Sequence, residues 1–132
     1  MNTLSGAIVT IESSDALSLV GVDVGGDIFS CVVIDTEESA RYLRIGMEVK
    51  VVFKETEVAL ARNLRDQISI RNHMHGPIID IERGAILTKV RLKYKSSVIT
   101  SVITTSSAKA MELKAGEPVI GLVKSNEVSL MR

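Results

Sequence analysis

The chain contains one pattern twice. Moved along by 70 residues, it places Gly6 on Gly76, Ile8 on Ile78, Ile11-Glu12 on Ile81-Glu82 and Val20 on Val90. The register holds to the far end: Val32 falls on Val102, Leu43 on Leu113, Gly46 on Gly116, Val49 on Val119, Lys54 on Lys124, Glu57-Val58 on Glu127-Val128 and Leu60 on Leu130. A match of this length without a gap marks two copies of one small unit. The expected division is a first domain over 1–63 and a second over 68–132, with the polar run Ala61 to Ile68 between them. Units of about 65 residues lie close to the size at which a lone hydrophobic core is marginal. The two are therefore expected to share buried surface, with each other or with further chains.

Charge and composition then exclude several classes. Basic and acidic residues balance at 16 each, leaving no net charge. The aromatics are only Phe29, Tyr42, Phe53 and Tyr94. A nucleic-acid-binding barrel needs a basic groove with stacking aromatics, so no nucleic-acid partner is expected. Cys31 is the sole cysteine, which rules out an intrachain disulfide and a cysteine metal cluster. The apolar start, Leu4 to Ile11, is too short for a membrane span and lacks the flanks of a signal peptide. A cytoplasmic protein with no membrane partner is the expectation.

Period-two alternation marks strands at 4–11 and, in Asp15 to Val24, through apolar residues at 17, 20, 22 and 24. Gly25-Gly26-Asp27 is a turn signal, and with Ile28 to Ile34 it predicts a hairpin over 17–34. Thr36 to Leu43 reads as a short helix, acidic at its start (Glu37, Glu38) and basic at its end (Arg41, Arg44), closed by Gly46. Strands follow at 47–53 and 56–60. The second copy repeats the plan: strands at 77–82, 86–94 and 97–103, a helix at about 105–113 capped from Thr104-Thr105-Ser106-Ser107, then strands at 118–123 and 127–131. This is an all-β chain with short helices, and the content of two tandem five-stranded barrels of OB-fold type. Strand and helix content alone fits other small β-barrels equally.

An ordered set of short motifs goes further. It runs Ser69-Ile70-Arg71-Asn72 to Gly76, then Ile81-Glu82-Arg83-Gly84. Ile103-Thr104-Thr105-Ser106-Ser107-Ala108 and Leu113-Lys114-Ala115-Gly116-Glu117-Pro118-Val119 follow. Val123-Lys124-Ser125 and Val128-Ser129-Leu130 complete it. In this order and spacing the chain resembles the Mop (molbindin) domain, also called the TOBE domain. The match runs through the second copy end to end and is weaker in the first, through Gly46, Lys54 and Val58. The resemblance implies OB-like barrels that bind molybdate or tungstate at domain or subunit interfaces. It also implies a homo-oligomer: a trimer of tandem chains, as in stand-alone molbindins, is preferred over the dimer of the molybdate-responsive regulators. With no helix-turn-helix pattern before residue 4 and no Walker A motif, the chain is expected to resemble the stand-alone tandem form.

Molybdate is a tetrahedral dianion that asks for hydrogen-bond donors and positive charge, not for metal ligands. The Ser69-Ile70-Arg71 loop offers a hydroxyl, consecutive amides and a guanidinium. Thr104 offers a hydroxyl at a strand end. Lys124-Ser125 offers an ammonium, a hydroxyl and amides, and charge-assisted bonds to an oxyanion are the strong kind. The resemblance carries the ligand set onto Ser69, Ile70, Arg71, Thr104, Lys124 and Ser125. The first copy departs from it: Arg71 falls on Met1, Thr104 on Ile34 and Ser125 on Glu55, a carboxylate that repels a dianion. Only Lys54 keeps its type, and there a solvated strand-end lysine is the simpler reading. The first copy is thus expected to build no site of the usual kind.

Other residues invite sharper readings than they earn. Ser69 and Asn72 could simply start a strand, and Thr104 to Ser107 could simply cap a helix; a cap and a ligand are compatible. His73 and His75 are too few for a metal site and read as a solvated loop. Cys31 reads as a buried small apolar residue, and Glu37-Glu38 as surface charge at a helix start. No nucleophile–base pair and no cofactor loop stands out. The expectation is therefore oxyanion binding without catalysis or cofactor, for storage, homeostasis or sensing. The alternative is a ligand-responsive interaction module that partners a molybdate transporter or transcription regulator.

Overall fold

The computed structural model describes residues 1–132. Its strands are β1 (Asn2–Ser14), β2 (Leu17–Val24), β3 (Asp27–Val33), β4 (Glu48–Phe53), β5 (Ala59–Ala61), β6 (Asn72–Arg83), β7 (Leu87–Tyr94), β8 (Ser97–Thr104), β9 (Pro118–Val123) and β10 (Ser129–Met131). One α-helix, α1 (Thr105–Ala110), follows β8, and single 3₁₀ turns at Glu55–Glu57 and Ser125–Glu127 precede β5 and β10. No helix is long and apolar enough to cross a membrane.

The strands form two five-stranded sheets, ordered β10-β4-β1-β2-β3 and β5-β9-β6-β7-β8. In each, the two terminal strands approach one another, β10 with β3 and β5 with β8, so each sheet curls into the expected OB-type barrel. The chain accordingly divides into two compact units. Unit 1 holds Met1, Thr3–Phe53 and Lys124–Arg132; unit 2 holds Asn2 and Lys54–Val123. These bounds differ from those of the sequence repeats. The last strand of the first repeat, β5, pairs with β9 in unit 2, while β10 pairs with β4 in unit 1.

Local detail follows the repeat. Each unit has one long strand bent at a bulge, between Ile8 and Thr10 in β1 and between Ile78 and Asp80 in β6. A bulge lets one strand turn from one partner to the next around a small barrel. Ile8 and Ile78 sit at these bends almost wholly buried. Each exchanges two backbone bonds with the loop ahead of the next strand: Gly46 N–H to the Ile8 carbonyl at 2.8 Å and Ile8 N–H to Met47 at 2.9 Å, then Gly116 to Ile78 at 2.8 Å and Ile78 to Glu117 at 2.9 Å. Gly46 and Gly116 have φ of 91° and 89°, a conformation that favours glycine. Gly76 is required for space instead, since a Cβ there would collide with the Lys93 carbonyl oxygen.

The inward face of β2 carries Ser18, Val20, Val22 and Val24, while Leu17 points outward. The Ser18 hydroxyl donates to the Asp35 carbonyl at 2.6 Å. Its counterpart Thr88 shares a hydrogen bond with the Thr105 hydroxyl at 2.8 Å, and that hydroxyl donates to Gly84 O. Both buried hydroxyls are therefore satisfied, as burial demands.

The helix expected at Thr36 to Leu43 does not form. Ser39 and Ala40 both donate to the Thr36 carbonyl, Ser39 Oγ also accepts from Thr36 N–H at 2.8 Å, and Arg44 closes on the carbonyls of Glu37 and Leu43, both at 2.7 Å. Charges at helix ends contribute at most about 1 kcal/mol at an exposed site, and Ser and Thr side chains compete for the same backbone groups. The equivalent α1 forms but ends at Ala110, shorter than expected. The last strands also begin later, at Ala59 and Ser129, because a 3₁₀ turn occupies the residues before each.

Candidate oxyanion site

Ser69-Ile70-Arg71 forms an irregular loop leading into β6 in unit 2, with Ser69 and Arg71 exposed. Asn72 and Met74 begin the strand facing inward and buried, so the loop is anchored immediately after Arg71. His73 lies between them, half-buried, with Nε2 2.7 Å from the Ile70 carbonyl oxygen. The rings of His73 and His75 are 6.2 Å apart. Both histidines belong to β6 rather than to a solvated loop; the alternation of His-Met-His, apolar at its centre, was the available sign of a strand.

Thr104 is the last residue of β8 and the N-cap of α1. Its Oγ accepts from Ser107 N–H at 3.1 Å and donates to Ser107 Oγ at 2.8 Å. Thr104 shares unit 2 with the Ser69 loop. Lys124 and Ser125 do not: the 3₁₀ turn they open lies in unit 1, packed on β3. The matching turn of the first repeat, Glu55–Glu57, packs on β8 in unit 2. The six sequence-derived residues are thus divided, four on unit 2 and two on unit 1. Glu55, the first-repeat counterpart of Ser125, lies in unit 2.

Two clefts occupy equivalent places in the two repeats. One of about 540 Å³ in unit 1 is lined by Ser5, Asp23, Glu48, Lys50 and Arg132 among others. Its repeat equivalent in unit 2, about 260 Å³, is lined by Arg62, His75, Gly76 and Pro118 among others. Beside the second cleft Arg62 grips Glu117 through two bonds of 2.8 and 3.0 Å. The Arg62 hydrogen bond holds the Glu117 carboxyl below its ordinary pKa. Cys31 is wholly buried, as expected, and burial pushes its thiol up to about 12, far from a reactive thiolate.

Two OB-type barrels in one chain, with an exposed Ser69-Ile70-Arg71 loop and a Thr and a Lys-Ser pair at strand ends, define a small tandem β-barrel protein. The comparisons narrow this class. The TOBE domain matches residues 68–130. A solved structure of the cytoplasmic molybdate-binding protein ModG, with molybdate bound, is 31% identical, covers 98% of this chain and 94% of its own, and superposes with a TM-score of 0.88. The molybdenum transport protein ModE of Azotobacter vinelandii is 30% identical over 112 residues, 84% of this chain and 41% of that protein. The molybdenum-pterin-binding protein MopB of Rhodobacter capsulatus is 29% identical over 126 residues, 92% of this chain and 46% of its own. The chain thus spans less than half the length of these two curated relatives. It belongs to the family of tandem Mop/TOBE-domain (molbindin) proteins.

Proposed function

We propose that this chain binds molybdate or tungstate in the cytoplasm, for storage, homeostasis or sensing, and that it does so without catalysis or cofactor. The observation that carries this reading is the likeness to ModG over nearly the whole chain, joined to the survival of every donor type in the second repeat. Ser69, Ile70, Arg71, Thr104, Lys124 and Ser125 are the proposed donors. Donors split between a linker loop and strand ends suit sites completed when copies of the chain associate, and a homotrimer is the proposed assembly, with a dimer as the alternative. Domains 1–63 and 68–132 are then two repeats of which only the second brings a working motif, since Ile34 and Glu55 replace Thr104 and Ser125 in the first.

Calorimetric titration of the anion-free protein with molybdate, tungstate and sulfate tests this, with the mass in solution measured alongside. Tight binding of molybdate or tungstate without a sulfate response is expected, and Ser69→Ala with Lys124→Glu should abolish it. Silence towards all three anions in an intact oligomer would overturn the reading. The likeness to ModE favours a second one, a ligand-responsive interaction module; molybdate-dependent capture of a transporter or regulator would separate the two.

A further inference from the structure

We infer that His73 is a positioning residue for oxyanion capture, its imidazole setting the direction of the Arg71 backbone N–H. This rests on the function proposed above. Nε2 of His73 lies 2.7 Å from the Ile70 carbonyl oxygen. A carbonyl oxygen only accepts, so Nε2 carries the proton and donates. The Ile70–Arg71 peptide is trans. In a planar trans peptide the C=O and the next residue's N–H point in opposite directions. Drawing the Ile70 carbonyl towards His73 therefore turns the Arg71 N–H away from it, to the far side of the loop. That N–H is one of the consecutive backbone donors that the Ser69-Ile70-Arg71 loop offers an anion. Without the imidazole the peptide plane is free to rotate, and its ordering cost falls on ligand binding.

The fold gives the ring the means to do this. Asn72 and Met74 are buried on the inner side of β6, and His73 pairs across to Leu122 of β9. Its ring is half-buried beside the strand that follows the loop, where it can reach back three residues. The first repeat supplies the contrast. Its residue at this position is Thr3, with no ring, and Met1 stands where the second repeat has Arg71. The imidazole occurs only in the copy that carries the donor loop.

The full-length chain is titrated with molybdate as wild type, His73→Leu and His73→Gln, with melting temperature and solution mass recorded for each. The glutamine amide can donate to the Ile70 carbonyl; leucine cannot. His73→Leu is expected to bind roughly ten-fold more weakly, the size of one hydrogen bond. His73→Gln should stay within about three-fold of wild type on the same grounds, and all three should have one mass. Two results would overturn the inference: wild-type affinity in His73→Leu, or equal weakening in both variants with a parallel fall in melting temperature. If His73→Leu does not fold, His73→Thr, the residue of the first repeat and too short to reach the Ile70 carbonyl, takes its place with the same expected and overturning results. A wild-type chain that binds no molybdate would overturn the proposed function itself, and this inference with it.

Discussion

Asn2 is the most telling single side chain. It is 4% exposed, its amide N–H₂ donates to the Thr100 carbonyl at 2.8 Å and its amide oxygen accepts from Thr100 N–H at 2.9 Å. The side chain thus stands in for a strand against β8. Its counterpart Asn72, the asparagine of the Ser-x-Arg-Asn motif, is 1% exposed. That asparagine is therefore structural, while Ser69 and Arg71 before it stay open to solvent. Replacing Asn2 by Ala leaves two backbone groups of Thr100 without partners, so a loss of about 1–3 kcal/mol is expected. Urea unfolding of the variant checks it; a midpoint equal to wild type would show that water replaces the amide fully. Burial of these asparagines was not legible in the sequence, because Asn at a strand start is usually a solvated turn residue.

At the scale of elements, equal positions of the repeat take different forms for local reasons. Thr104 caps α1, while the matching Ile34 has no hydroxyl, and Thr36 to Ser39 closes into a turn on its own side chains. The Arg62–Glu117 clasp is likewise particular to unit 2, since Glu117 falls on Met47 in the first copy. It joins the residue after β5 to the residue before β9, and Glu117 also accepts from Lys114 N–H at 2.9 Å. A carboxyl whose folded-state pKa is depressed contributes stability that is complete above its ordinary value of 4.5 and is lost as pH falls through the lower folded-state value. Glu117→Gln is therefore expected to melt below wild type at pH 7, with the gap closing in acid below that range. Melting curves from neutral to strongly acid pH test this. The pair is partly exposed, so added salt should narrow the gap at neutral pH as well.

At the scale of the molecule, strand exchange decides what belongs together. Unit 1 is completed by β10, which pairs Ser129, Leu130 and Met131 with Val52, Val51 and Lys50. A chain ending at Val123 keeps every strand of unit 2 and loses one of unit 1. Hydrogen exchange of that chain is expected to show β4 amides deprotected by on the order of 100-fold while β6 and β7 hold, equivalent to about 3 kcal/mol of local stability. Uniform deprotection of all strands would mean that the units unfold only together. The same truncation removes Lys124 and Ser125, so it should also abolish molybdate binding.

The repeat, the period-two strands, the inward aliphatic faces and the copy that retains the proposed donor residues follow from the order of amino acids alone. These are local matters of composition and spacing, and they survive any arrangement of the parts. The choice of neighbour for β5 and β10 was made only by the tertiary structure. Ala59-Leu60-Ala61 and Ser129-Leu130-Met131 are short and alike, and alternation specifies which face of a strand is buried but not which of two homologous strands it joins. That choice places Lys124 and Ser125 on a different unit from Ser69, Arg71 and Thr104. The reach of His73 to the Ile70 carbonyl was also decided there, because a three-residue separation becomes a hydrogen bond only when the loop turns back on the strand it enters.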